Sequence, residues 1–211
     1  MSDAGLNSTA GNESVAAIVL AAGASTRFGA NKLLYPFTIH GLTLPLAAHS
    51  LRPWLDTFER VTVVVKADAE NFCQEIEAAL GKTASAKIHW CACRHAGQGM
   101  AASLACGVQA NAGASAWLIG LADMPAVPER ALADVHAALL SGAKLAAPFR
   151  NARRGHPVGF ASDYREDLLA LQGDEGARQI LARDKEKIIA LQIDDAGIFA
   201  DIDIPGDLLR L

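Results

Sequence analysis

VAAIVLAAGASTRFGANKLL, residues 15–34, is the stretch that decides the fold. Its first six residues carry no polar side chain, the pattern of a strand covered on both faces, as in parallel sheets. Ala21, Ala22 and Gly23 then offer little side chain, so a ligand can come close to the backbone N–H groups, as anion-binding loops require. The turn goes on to carry Ser25, Arg27 and Lys32. Arg27 can fork onto phosphate oxygens and Lys32 can stand beside them as a point charge. A strand that delivers a bare, cationic loop suits polyphosphate. An ordinary strand-to-helix turn with solvated cations reads the same way. The stretch is neither the Walker form, which needs Gly-Lys-Ser/Thr at the helix start, nor the dinucleotide fingerprint.

Outward from this stretch, apolar runs alternate with helical periodicity. Residues 15–20, 61–65, 87–91, 116–121 and 144–147 read as strands, and residues 44–58, 69–80, 99–110 and 128–140 as helices. Such a series predicts an α/β fold with a doubly wound, mostly parallel sheet and right-handed crossovers. Ligands in these sheets collect at the carboxyl ends of the strands, so the turns at residues 21–32, 95–103 and 122–125 are predicted to face one edge. The last third is less regular. A strand over residues 153–161 with a sharp entry at Arg153–Pro157 precedes short helices over 163–171 and 175–182, a strand over 187–193, and a brief strand and turn of helix over 201–209. The segment 150–183 is the irregular part of the chain.

With 211 residues, 51% of them hydrophobic, the chain can bury one substantial core, so residues 15–211 are expected to form a single domain behind a polar, disordered tail at 1–14. A net charge of −4 supplies no broad basic surface and argues against nucleic acid as a partner. Cys91 and Cys93 alternate on a strand while Cys73 and Cys106 fall in helical patterns. No pair is spaced for zinc, so the four read as packing cysteines of a reduced, cytoplasmic protein. The apolar run at residues 15–20 is too short to span a bilayer and lacks a basic leader, so no membrane is expected.

Four further constellations carry chemistry. Asp123, in LADMP at residues 121–125, sits at the exit of a hydrophobic strand with Pro125 restricting the residue before it, where a carboxylate can serve magnesium or merely cap a turn. Asp201 and Asp203, two apart in DIDIPGDL, share one face of a short strand and can ligate one ion or solvate. Gly97–Leu104 enters a helix through small residues, with Gln98 and Ser103 as hydrogen-bonding groups for a base or ribose; a plain glycine-rich helix start fits as well. His156, between Gly155 and Pro157, can meet an anionic substrate or be incidental to its turn.

Six motifs stand in one order: LAAGASTRFGANKLL at 20–34, GMAASLACG at 99–107, LADMP at 121–125, GHPVGF at 155–160, GDEGAR at 173–178 and DIDIPGDL at 201–208. Together they resemble the molybdenum cofactor nucleotidyltransferases, most closely the cytidylyltransferase branch, over nearly everything after the tail. The resemblance implies a Rossmann-like nucleotidyltransferase fold, Mg2+ and a nucleoside triphosphate. It implies that Leu20, Ala21, Ala22 and Gly23 hold base and ribose through backbone contacts, that Ser25, Arg27 and Lys32 hold the phosphates, and that Gly99 and Ser103 border the nucleoside. Asp123 and Asp203 would hold the metal, with Lys32, Arg27 and Asp123 carrying catalysis and His156 on the acceptor side. Ile204 and Gly206 depart from the family's usual threonine and glutamate around Pro205, while Asp203 remains. Ala22 stands where the guanylyl branch has glycine, so its methyl is expected to exclude a purine. The implied reaction moves CMP from CTP onto the phosphate of molybdopterin, and a molybdenum enzyme that receives the product is an expected transient partner. The alternatives are a sugar phosphate or alcohol phosphate as acceptor, or a non-catalytic nucleotide-binding chaperone for a molybdenum enzyme.

Overall fold

The computed structural model describes residues 14–23, 31–39 and 41–202. In chain order the elements are β1 (Val15–Leu20), β2 (Pro36–Ile39), β3 (Leu42–Pro45), α1 (Leu46–Thr57), β4 (Val61–Lys66), α2 (Glu70–Leu80), α3 (Lys82–Ser85) and β5 (Ile88–Cys93). They continue with α4 (Met100–Ala110), β6 (Ala116–Leu121), α5 (Glu129–Leu140), β7 (Leu145–Arg150), β8 (Arg153–Arg154), β9 (Val158–Ala161), α6 (Arg165–Leu169), α7 (Arg178–Arg183) and β10 (Ile188–Gln192).

Successive side chains of a strand leave opposite faces, and in β1 both directions are apolar. Ala17 and Val19 enter one core cluster with Leu51, Trp54, Ile76, Leu132 and Val135. Ile18 and Leu20 enter another with Leu104, Val108, Leu168, Ile180 and Leu181. β6 divides in the same way, Ala116 and Leu118 against Trp117 and Ile119. Thus α1, α2 and α5 cover one face and α4, α6 and α7 the other, the doubly wound arrangement expected from the sequence. Close approach depends on two glycines. A Cβ on Gly120 would run into the Trp54 indole, and one on Gly107 would stand 2.8 Å from Ile18 Cγ2 and 3.0 Å from Val64 Cγ2.

The large sheet runs β10-β7-β9-β6-β1-β4-β5, with β8 attached to β7. β1 is parallel to β4 and β6, β4 to β5, and β7 to β10, so the sheet is mostly parallel. The turns after β1, β5 and β6 therefore leave one edge, as predicted.

The departures lie where sequence periodicity was weakest. The predicted strand 153–161 is two strands, because Gly155, His156 and Pro157 interrupt it; β9 then runs antiparallel between β6 and β7. Leu44 belongs to the β2–β3 hairpin instead of opening a helix, with Gly41 at φ +78° in its turn. Predicted helices 163–171 and 175–182 shorten to α6 and α7. The expected strand and turn at 201–209 lie outside the described residues beyond Ile202, as does the predicted tail up to residue 13.

Packing of unpaired thiols is also corrected. Cys91 and Cys93 do share a face, but Cys93 forms a disulfide with Cys106 of α4, their Cα atoms 5.9 Å apart, leaving Cys73 and Cys91 as free thiols. Period-two and helical spacings place each cysteine on its own element and say nothing of which elements touch. The inference of a reduced compartment loses the support it drew from unpaired cysteines. Among the described residues, no helix is long and apolar enough to cross a membrane.

Candidate active site

Lys32 reaches the site from a single 3-10 turn, Lys32–Leu34, capped by Asn31, whose side-chain oxygen accepts from the Leu33 N–H at 3.3 Å. Leu33 is buried beneath the turn, and the Leu46 N–H donates to the Tyr35 carbonyl at 3.0 Å. The backbone under Lys32 is thus tied to the core and to the start of α1.

Asp123 comes from the opposite direction, two residues past β6. The Ala122 N–H donates to the Leu20 carbonyl at 3.0 Å, which locks the β6 exit beside the β1 exit. Lys32 Nζ donates to Asp123 Oδ2 at 2.8 Å and to the Ile202 carbonyl, also at 2.8 Å. The Ile202 N–H in turn donates to the Asp123 carbonyl at 3.0 Å. Three distant parts of the chain therefore close on one point. The structure brings Lys32 and Asp123 into contact and adds Ile202, which the sequence reading did not name, because its contribution is backbone and has no side-chain signature.

The two side chains are 13% and 23% exposed, enough to be reached by a ligand and sheltered enough for their charges to matter. Asp123 Oδ1 is buried and has no hydrogen-bond partner among the described residues. A buried carboxylate oxygen without a donor is short of a partner. A divalent cation that keeps several waters, binds one or two carboxylates and takes the rest of its oxygens from phosphates fits this atom. A closed all-protein cage does not: no group of three or more His, Cys, Asp or Glu gathers for a metal among the described residues.

The other expected site residues divide into three groups. Ser25, Arg27 and Asp203 lie outside the described residues. Leu20 and Ala21 flank the site, but the Leu20 carbonyl is spent on Ala122 and the Ala21 N–H on the Val64 carbonyl at 2.8 Å. Gly23 is exposed, whereas Ala22 is 2% exposed and belongs to the second core cluster, so its methyl is a packing group here. Gly99 and Ser103 stand at the start of α4. Ser103 is buried at 4% exposure, and Gly99, at φ +113°, backs onto the loop at 173–174.

His156 sits at the same edge through register. Val158 pairs with Ile119, which puts the residues just before β9 beside the end of β6. Its N–H donates to the Ile198 carbonyl at 2.9 Å. Burial, followed by the Arg154 charge, pushes the imidazole down to about 4 against the opposing pull of Asp201, so the ring is neutral at physiological pH. Its Nδ1 is buried without a hydrogen-bond partner among the described residues.

Comparisons with known proteins bear on this edge. A model of the MobA-like NTP transferase domain matches residues 17–188. A sequence comparison with curated proteins returned no match. Among solved structures, Rv0371c from Mycobacterium tuberculosis H37Rv is 21% identical with a TM-score of 0.75, the match covering 93% of this chain and 95% of that one. A second Rv0371c structure, 20% identical with a TM-score of 0.70 over 93% and 97% of the two chains, is a complex with manganese. A nucleotidyl transferase from Methanothermobacter thermautotrophicus (Mth528) is 22% identical, with a TM-score of 0.70 over 93% and 94%. A 4-diphosphocytidyl-2C-methyl-D-erythritol synthase from Anaerococcus prevotii DSM 20548 is 13% identical, with a TM-score of 0.67 over 93% and 93%. At these identities the solved structures speak for the Rossmann-like nucleotidyltransferase fold, while the domain match spans most of the chain, from β1 to the start of β10. The protein belongs to the MobA-like NTP transferase family and is a nucleotidyltransferase.

Proposed function

We propose that the chain transfers CMP from CTP to the phosphate of molybdopterin. The observation that carries the transferase chemistry is the Lys32–Asp123 contact at the joined exits of β1 and β6, with Asp123 Oδ1 left unpartnered among the described residues. The choice of acceptor rests on the six ordered motifs of the sequence.

In this reading a phosphate oxygen of the acceptor attacks the α-phosphorus of CTP. A new phosphorus–oxygen bond forms, the bond from the α-phosphorus to the bridging oxygen breaks, and pyrophosphate leaves with the electron pair. The acceptor is already anionic, so positioning and charge neutralisation dominate over general-base catalysis. Lys32 and Asp123 hold each other before substrate arrives; Lys32 then serves phosphate oxygens and Asp123 a divalent cation, with Arg27 supporting the departing pyrophosphate. A bound cation, Mg2+ in our reading and with Asp203 as its second carboxylate, would neutralise charge on the phosphate oxygens. The manganese complex of Rv0371c supports a divalent metal for this fold. Ala22 and Gly23 are assigned to the base, Ser25 to the phosphates, Gly99 and Ser103 to the nucleoside border, and His156 to the acceptor side.

Cytosine selection was expected from the Ala22 methyl. Its burial leaves a weak version of that idea, in which the methyl sets the position of the loop backbone beside the base.

Pyrophosphate release by the purified full chain with Mg2+ and CTP, GTP or ATP tests the reading across molybdopterin, a sugar phosphate, an alcohol phosphate and no acceptor. Release that requires CTP and molybdopterin is the expected result. Release with a sugar or alcohol phosphate alone would move the protein to another acceptor. Nucleotide binding without release under every condition would make it a binding protein for a molybdenum enzyme.

A further inference from the structure

The motif GDEGAR, residues 173–178, has no part in the nucleotide contacts above, yet the fold holds it firmly. The Ala101 N–H donates to the Gly173 carbonyl at 3.0 Å, and a Cβ on Gly99 would stand 2.5 Å from both that oxygen and Asp174 Oδ1. A Cβ on Gly176 would stand 2.9 Å from Met100 Sδ. The loop is therefore docked on the start of α4, and it ends by delivering Arg178 as the first residue of α7.

Arg154 comes from a different element, β8. It pairs with Phe149 across β7–β8, the next N–H, of Gly155, donates to the Pro148 carbonyl at 2.8 Å, and a Cβ on Gly155 would stand 2.6 Å from the Ile198 carbonyl oxygen. Its guanidinium leaves a backbone tied to β7 and packed closely against Ile198.

These two arginines differ from Arg150 and Arg183. Arg150 meets Asp194 at 3.0 Å, and Arg183 meets Asp167 at 2.6 Å and Asp184 at 2.7 Å. Arg154 and Arg178 have no carboxylate partner among the described residues. Arg154 is half-buried, and both burial and the nearby charge of Arg178 weaken its hold on its proton. Two neighbouring cations, one of them partly desolvated and unpaired, are costly unless an anion joins them. The planar guanidinium fork matches phosphate. His156, two residues along, adds a neutral ring with a buried, unpartnered Nδ1.

The place also fits. The segment from Ile198 to Ile202 ties His156 to Asp123, since the Ile198 carbonyl accepts from His156 and the Ile202 N–H donates to the Asp123 carbonyl. Four residues span at most about 14 Å. His156, two residues from Arg154, is thus within a substrate's length of the Lys32–Asp123 centre, on the β9 side of β6.

We propose that Arg154 and Arg178, bordered by His156, form the subsite that receives the phosphate of the acceptor. The assignment rests on the nucleotidyl-transfer reading and adds the residues that take the acceptor's charge.

Arg154→Gln, Arg178→Gln and the double variant test it by two routes. In transfer from α-labelled CTP to molybdopterin, each single change should raise the acceptor KM roughly tenfold or more while the CTP KM stays within about twofold. In the second route inorganic phosphate is the probe, with the triphosphate site filled by a CTP analogue whose α–β bridge cannot be cleaved. Phosphate should raise the Tm of the parent protein and leave that of the double variant unmoved. Without phosphate the double variant should melt no lower than the parent, because it has lost a repulsion and, among the described residues, no ion pair. Equal rises in both KM values would assign the pair to the nucleotide and overturn the proposal. So would an unchanged acceptor KM, phosphate stabilisation that survives in the double variant, or a lowered Tm with intact kinetics. If the parent protein does not use molybdopterin at all, that acceptor is wrong, and the phosphate arm still decides the subsite.

Discussion

The two sides of β6 are built differently. On one side β1, β4 and β5 are parallel and follow one another through covering helices, so a strand's end and the next loop repeat a regular geometry. On the other, antiparallel β9 is wedged between β6 and β7, and after the α5 crossover only short helices and turns connect the strands. Parallel βα units bring loop backbones to one edge, which suits a ligand common to the whole fold, a nucleotide. An irregular flank can carry arginines in arrangements that periodicity does not impose, which suits the part of the substrate that varies. In the proposed reading, nucleotide binding and acceptor choice would be separable on this chain.

The largest expected effect breaks the contrast at its centre. Asp123→Ala and Lys32→Ala should each lower turnover by roughly 10²–10³-fold. The double variant should fall short of the product of the two losses, since the side chains act on each other. Thermal unfolding of Asp123→Ala should stay near that of the parent, because the carboxylate supports little core. Near-normal transfer by either single variant would remove the residue from the reacting centre.

Next comes the joint between the two sides. Gly99→Ala places a methyl where Gly173 and Asp174 already stand and at φ +113°, so it should cost about 1–3 kcal/mol in denaturant unfolding. It should also disturb acceptor and nucleotide KM values together, since α4 and the 173–176 loop must both shift. A variant as stable as the parent would mean that the loop is not docked as described.

His156 sharpens the same division through pH. Its folded value of about 4 lies below the ordinary 6.5, so between those values the unfolded chain takes up the proton first. Stability should therefore fall as the pH drops from about 6.5 to about 4 and be complete above that window, with a total on the order of 3 kcal/mol. His156→Asn should flatten that part of a urea-derived stability profile. An unchanged acid slope would place the titration elsewhere.

The smallest effect belongs to Ala22→Gly, measured as the ratio of GTP to CTP use. With the methyl packed in the core, a rise of only a fewfold is expected, worth about 1 kcal/mol or less. No rise would end any part for Ala22 in base choice.

How much of this was legible in the sequence follows the same line down the molecule. β1 and β6 were readable because burial on both faces writes an unbroken apolar run, β4 because its run is broken only by the buried Thr62 before the terminal Lys66, and Asp123 because it stands just past the end of β6. Lys32 was readable as a cation in a bare loop, although its partners were not. The Ile202 carbonyl has no side-chain letter, and its arrival depends on a chain end some 170 residues away. β9 was misjudged because one strand broken by Gly-His-Pro reads like one continuous strand, and its direction depends on where the chain turns. The Cys93–Cys106 disulfide was missed because spacing along each element carries no information about which helix lies on which strand. Arg154 and Arg178 were visible as letters, but their lack of carboxylate partners is a three-dimensional fact.

The most direct measurement of the account is the fate of phosphorus label when the purified full chain is mixed with molybdopterin, Mg2+ and CTP labelled at either the α or the γ position. The account predicts that α label appears on the pterin product and γ label leaves as pyrophosphate, with GTP and ATP giving far less of either. Label on the product from the γ position, or pyrophosphate formed equally well without molybdopterin, would contradict it.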